Sequence, residues 1–252
     1  MDDFVNKKFF SRDDVVLEYA RATANIGLWE SERLLIEKFV PRSAKILELG
    51  AGTGRVSLGL RKIGYADLTI TDFAPPMIET AKFFFAEKAT TDPAKIRFAV
   101  EDATALSFAK NSFDAAIFAF NGLQMIPKRE RRKTALREIA RVLRLGGIFI
   151  FTGHDQTHRA RQQYWRDERT RWENGSRDKA LDDFGDYNHA TPRGTMFIHA
   201  AVPADVEHDL AEAGFAIIMS QLRSEICDES PAVCEFSDDT RFWVCKKNPP
   251  QQ

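Results

Sequence analysis

The residues best suited to chemistry lie in one stretch, from Ala44 to Leu60, where Glu48 precedes three alternating glycines, Gly50, Gly52 and Gly54. These glycines lack a Cβ, so a turn built on them closes tightly and lets a ligand approach the backbone. The apolar run Lys45–Leu49 before the turn reads as a buried strand, and a helical pattern starts near Arg55. Free N–H groups at that helix start point into the space above the turn. Together these features predict a nucleotide-type pocket at the carboxyl end of a first parallel strand. A dinucleotide fingerprint would need a further glycine at position 55 or 57, but Arg55 and Ser57 stand there. The bland alternative is a glycine-rich turn that binds nothing.

Further acids follow in order. Asp72 ends a second strand pattern, Asp67–Thr71, 18 residues beyond Gly54. A carboxylate at that strand tip can accept both hydroxyls of a ribose, whichever nucleotide carries it. Strand 3, Lys95–Glu101, ends at Asp102 and Ala103. His154 and Asp155 close a fifth strand at the pocket rim and are the best-placed general bases if the chemistry needs one, followed by Tyr187 and His189. His154 and His158 have a metal-pair spacing, but His154 follows a glycine at a strand end and no cysteine joins it, so no metal is expected. There is no G-x-S-x-G elbow and no G-x-x-x-x-G-K-[ST] phosphate loop, which disfavours a serine hydrolase and a P-loop enzyme.

The chain has 252 residues, room for one large α/β domain with a lid or for two small domains. A net charge of −1 gives no general attraction to nucleic acid or membranes. No apolar run reaches the ~20 residues that span a bilayer, and the acidic start Met1-Asp2-Asp3 is unlike a secretion signal. Cys227, Cys234 and Cys245 read as reduced thiols of a cytoplasmic protein.

The elements that must position the acids read as follows. Residues 1–10 are a loose lead. Ser11 caps a helix to about Ala24, with Asp14 three residues on, and a second helix runs from about Leu28 to Val40, ended by Pro41. Ser112–Phe120 is a continuously apolar fourth strand, as expected when both faces of a parallel sheet are covered. Lys128–Leu143 is an amphipathic helix whose basic residues form either a contact surface or, more simply, a solvated face. Ile148–Thr152 is strand 5. After a long insertion, Val202–Ala213 is the last helix, and Phe215–Leu222 and Arg241–Lys246 are the last strands, joined by an acidic loop, 224–240. The tail 248–252 is expected to be disordered.

The pattern Glu48-x-Gly50-x-Gly52-x-Gly54 resembles motif I of the class I S-adenosylmethionine (SAM)-dependent methyltransferases, and the segment Arg141–Gly147 resembles the family's late motif entering strand 5. The resemblance covers residues 42–153. It implies an α/β, Rossmann-like sheet of seven mostly parallel strands in the order 3-2-1-4-5-7-6, with helices on both faces. It implies SAM as the cofactor, held by Glu48, Gly50, Ala51, Gly52, Gly54 and Arg55 at the first turn, and by Asp72 and Phe73 at the ribose. Met77, Asp102 and Ala103 would meet the adenine. Phe120, Asn121 and Met125 would lie near the sulfonium. Asn121 and Gln124 become candidates for acceptor contact, with Tyr19 and Trp29 from N-terminal helices lying over the pocket. The Asn-Pro-Pro-aromatic motif of exocyclic-amine methylation is absent.

The chain then divides into an N-terminal cap (1–41), a SAM-binding core (42–155), a lid insertion (156–195) carrying Trp165 and Tyr187, and a C-terminal return (196–252). The expected activity is methyl transfer to a small molecule, by a monomer or homodimer without nucleic-acid or membrane partners. Two other readings stand beside it: a nicotinamide-dependent oxidoreductase, and a non-catalytic SAM-binding protein that uses the basic helix as its contact surface.

Overall fold

The computed structural model describes residues 5–87, 95–157 and 161–249. In chain order, the first elements are α1 (Val5–Phe10), α2 (Asp13–Asn25), α3 (Glu30–Phe39), β1 (Lys45–Glu48), α4 (Arg55–Lys62), β2 (Asp67–Asp72) and α5 (Pro75–Glu87). Next come β3 (Ile96–Val100), β4 (Phe113–Phe118), a 3-10 turn (Gly122–Met125), α6 (Arg129–Val142) and β5 (Leu143–Gly153). The remainder is α7 (Gln162–Glu173), β6 (Asp186–Thr191), β7 (Gly194–His199), α8 (Pro203–Glu212), β8 (Phe215–Leu222), α9 (Arg223–Ile226), α10 (Pro231–Phe236) and β9 (Arg241–Lys247).

Seven strands form one sheet in the order β3-β2-β1-β4-β5-β9-β8, with β9 antiparallel to both neighbours. This is the order implied by the resemblance, once the separate β6–β7 hairpin is left out of the count. Successive residues of a strand face opposite sides, so β1 feeds two cores. Ile46 packs with Leu35 and Ile36 of α3 and Leu58 of α4. Leu47 packs with Leu136 and Ile139 of α6 and Leu210 of α8. Burial on both sides explains the unbroken apolar runs. The cap and the C-terminal return share the first of these cores with the middle of the chain, since Trp29, Phe242 and Val244 belong to it.

Several local expectations change. Val5–Phe10 is helical rather than loose. Asn6 anchors it: its Nδ2 donates to the carbonyls of Met125 (2.7 Å) and Phe197 (2.9 Å), and its Oδ1 accepts from Phe197 N (2.9 Å). Arg12, not Ser11, is the N-cap of α2: its backbone is extended and its carbonyl accepts from Val15 N (3.1 Å) and Val16 N (2.9 Å). The acidic loop contains α9 and α10, the latter capped by the Ser230 side chain with Pro231 in its first turn. β5 starts early: Leu143 pairs with Phe113, the register shifts, and Ile148 resumes opposite Ala115. His158 lies outside the described residues. No helix of the described residues is long and apolar enough to cross a membrane.

Candidate active site

The carboxyl ends of β1, β2 and β4 open onto a cavity of about 250 Å³. Its floor is the glycine turn. Gly50, Gly52 and Gly54 all have positive φ, at 57°, 55° and 86°. The three positions tolerate a side chain differently. A Cβ on Gly50 would come within 2.7 Å of the Phe118 ring, whereas on Gly52 the nearest atom is Tyr19 Cδ1 at 3.5 Å. At Gly52, therefore, backbone conformation rather than crowding enforces glycine, and a Cβ there would enter the cavity. Gly54 does not line the cavity; it is the left-handed N-cap of α4 and packs on Ala81 and Phe85.

Asp72 ties the turn to β2. Its Oδ2 accepts from Gly52 N (2.9 Å) and its Oδ1 from Ala74 N (2.9 Å). Burial pushes its pKa up to about 6, against the pull of those amides. Glu48 also lines the cavity, but it is held by the start of α4, accepting from Ser57 N (3.0 Å) and from the Ser57 hydroxyl. Burial raises it to about 7.

Arg55 lines the cavity, as the resemblance implies, but its side chain is engaged elsewhere. Its guanidinium is committed to Glu32 of α3 (2.6 and 2.7 Å) and to the Gly27 carbonyl (2.8 Å), and it stacks 4.6 Å from the Trp29 ring. Trp29 is itself buried, with Arg223 on it at 5.4 Å. Trp29 thus joins the cap to the core and does not line the cavity.

At the far end, Phe73, Met77, Asp102 and Ala103 line one wall. Asp102 Oδ1 accepts from Thr104 N (2.8 Å) and its hydroxyl (2.7 Å), and Oδ2 pairs with Arg131 of α6 (3.2 Å). Met77 is buried with Phe10 and Ala74. Over the front stand Tyr19 and Phe10, edge-on to each other at 5.6 Å, and Phe120. Phe120 and Asn121 adopt φ of 51° and 64°, a left-handed pair that a bulky residue adopts only under constraint. The Phe120 ring lies edge-on to Tyr19 (6.1 Å) and Trp29 (5.7 Å) and stacks on Phe236 of α10 (5.1 Å).

The remaining expected residues lie behind this wall. Asn121, Gln124, His154, Asp155, Trp165 and Tyr187 do not line the cavity. Asn121 Nδ2 is 3.2 Å from His154 Nε2. Burial lowers His154 to about 4, so its imidazole is neutral near pH 7. Asp155 accepts from Arg241 Nε (2.7 Å) and Thr157 N (2.7 Å), fastening β5 to β9. Gln124 lies against Gly153. Trp165 packs edge-on to Tyr187 (5.9 Å) and Phe184 (6.1 Å). Burial raises the Tyr187 phenol to about 12. His189 lies edge-on to Tyr187 at 6.4 Å. Among the described residues, none from 156 to 195 reaches the cavity. The β6–β7 hairpin, which runs on beyond this segment, instead backs α1, through the Asn6 bonds to Phe197 of β7.

Sequence reasoning missed Asn6, Phe10, Arg131 and Phe236. Only Phe236 had a local signal, the Ser230-Pro231 start of α10. The basic helix α6 is not a bare cationic surface: Arg129 pairs with Asp209, Arg132 with Asp183, Lys133 with Glu212 and Arg141 with Glu138. Where three possible metal ligands gather, at His208, Asp209 and Glu212, both carboxylates are thus already ion-paired.

SAM fits what is present: a glycine cradle open to a ligand, a cavity-lining carboxylate at Asp72, and apolar side chains beside Asp102. Residues 46–147 match the family model described as "Methyltransferase domain". The chain is 32% identical over 131 residues to the ubiquinone/menaquinone biosynthesis C-methyltransferase UbiE of Zymomonas mobilis, covering 52% of this chain and 50% of that one. It is 27% identical over 122 residues to human EEF1A lysine methyltransferase 2, covering 47% and 50%. The chain thus spans about half the length of the curated relatives it matches. Among solved structures it superposes on a Burkholderia thailandensis 1,6-didemethyltoxoflavin-N1-methyltransferase with bound 1,6-didemethyltoxoflavin and S-adenosylhomocysteine, with TM-score 0.63, 16% identity, and coverage of 97% and 88%. That likeness is one of fold.

Proposed function

We propose that this chain, whose core belongs to the class I SAM-dependent methyltransferase family, transfers the methyl group of SAM to a small-molecule acceptor. The carrying observation is the enclosure of the cavity. Tyr19, Phe10, Phe120 and Phe236, drawn from α1, α2, the end of β4 and α10, stand over the glycine turn and leave about 250 Å³. Such a space suits a small molecule better than a protein segment or a duplex.

SAM supplies a methyl on a cationic sulfur, so a lone pair of the acceptor forms the new bond to carbon while the carbon–sulfur pair returns to sulfur. The chain's own residues hold and orient. Gly50–Gly52 and Glu48 form the seat for the amino-acid end, Asp72 accepts from the ribose hydroxyls, and Asp102 with Ala103 meets the adenine. Tyr19 and Phe120 face the acceptor, and the aromatic wall excludes water. Positioning and desolvation carry most of the catalysis in this reading. No histidine or cysteine lines the cavity among the described residues. His154 is assigned a positioning role, steadying Asn121 at the end of β4, and the 156–195 segment acts on the site through α1. Three free thiols and the absence of a described membrane-crossing helix fit a cytoplasmic protein.

Calorimetry with SAM and with NAD tests the cofactor. Transfer of labelled methyl from SAM into fractionated small-molecule extract then tests the acceptor class. Binding of NAD but not SAM, or label found only in macromolecules, overturns the reading.

A further inference from the structure

The charged groups that line the cavity are, with one exception, already spoken for. Glu48 is held by Ser57, Arg55 by Glu32, and Asp72 by the amides of Gly52 and Ala74. Glu101 accepts from Ser107 N (3.0 Å), and Asp102 and Arg131 hold each other. The exception is Lys7 of α1, which lines the cavity, is half-buried, and has no ion pair or hydrogen-bond partner for its ammonium among the described residues.

Its position is fixed rather than accidental. The adjacent Asn6 is buried, and its three hydrogen bonds fasten α1 to the 3-10 turn and to β7. A half-buried cation on the cavity lining that has no ion pair among the described residues gains from an anionic ligand. The neutral polar groups nearby offer little competition. Thr23 and Thr53 hydroxyls satisfy each other at 2.6 Å, and both ends of the Asn6 amide are used. The Tyr19 hydroxyl has no hydrogen-bond partner among the described residues and can act as a second, neutral handle.

We infer that the methyl acceptor is an apolar molecule carrying an anionic group, which Lys7 binds. The apolar body packs on Phe10, Tyr19, Phe120 and Phe236, and the anion faces the Lys7 ammonium. This rests on the methyltransferase reading above.

The test uses the full chain saturated with S-adenosylhomocysteine and a set of aromatic carboxylates, each paired with its primary amide. Affinities are measured by calorimetry for the native protein, Lys7→Met and Lys7→Arg. Binding carboxylates are expected to exceed their amides by about tenfold or more in the native protein, the size of one charge-assisted hydrogen bond. Lys7→Met should level each pair, and Lys7→Arg should restore the preference. Amides binding as well as carboxylates, a preference that survives in Lys7→Met, or no carboxylate binding at all would overturn the inference. S-adenosylhomocysteine affinity is measured first in all three proteins and should be equal. Its absence in the native protein would instead count against the methyltransferase reading itself.

Discussion

The Gly52 amide donates to the Asp72 carboxylate at 2.9 Å, so the glycine turn after β1 and the tip of β2 form one unit. The group that would meet the ribose also fixes the loop beneath the rest of the ligand. Asp72→Ala removes a ligand acceptor and frees two buried amides, Gly52 N–H and Ala74 N–H. SAM affinity should fall by about 1.5–3 kcal/mol, and unfolding stability should fall with it. Asp72→Asn keeps one acceptor oxygen and should lie between the two. Calorimetry beside urea unfolding separates the effects, and unchanged SAM affinity in a folded Asp72→Ala protein would remove Asp72 from the site.

Gly50 and Gly52 should respond differently to alanine. Both substitutions force an L-residue into left-handed backbone, at about 1–3 kcal/mol. Only Gly50→Ala also meets the Phe118 ring at 2.7 Å. Gly50→Ala should therefore be the less stable, and adding Phe118→Leu should recover part of its loss while leaving Gly52→Ala unimproved. Denaturant midpoints of the four proteins decide this.

Glu32→Gln should strand the buried Arg55 guanidinium. Both side chains are nearly inaccessible, at 3% and 10%. Breaking one partner of such a pair costs about 3–5 kcal/mol. The paired replacement Glu32→Leu with Arg55→Met should recover much of that loss. A Glu32→Gln protein as stable as the native chain would show that the ion pair is not what holds α3 to α4.

Protons should be linked to SAM binding. Burial raises Glu48 to about 7 and Asp72 to about 6. For each, the folded state holds its proton more tightly than the unfolded chain does. Their contribution to apo stability is therefore present at low pH and is lost as pH rises from the ordinary carboxylate range toward 6–7. A cationic ligand favours the ionised forms, so SAM affinity should rise over the same window, with proton release. Titrations in buffers of different ionisation enthalpy at pH 6.5 would show the release, and Glu48→Gln should diminish it. Equal heats in all buffers would refute the linkage.

The local sequence determined the ordered series of strand ends. Glycines that need positive φ, an acid at each strand tip and unbroken apolar runs are written within a few residues of one another, so Glu48, Asp72 and Asp102 could be placed along the chain. The sheet order came from the resemblance, and the hydrogen-bond register confirmed it. What closes the cavity was set only by tertiary packing. Lys7 and Phe236 are separated by most of the chain, yet both line the same space. The six-residue α1 is too short to hold as a helix alone; it is anchored by Asn6 to the backbone of Phe197, 191 residues away. Arg55 shows the same limit at shorter range. Its place beside the glycine turn suggested a ligand contact, but Glu32, 23 residues earlier, claims its guanidinium. Periodicity and capping report what a residue can do within its own turn or strand. Which partner a side chain takes, when several satisfy its charge, depends on which elements pack against it.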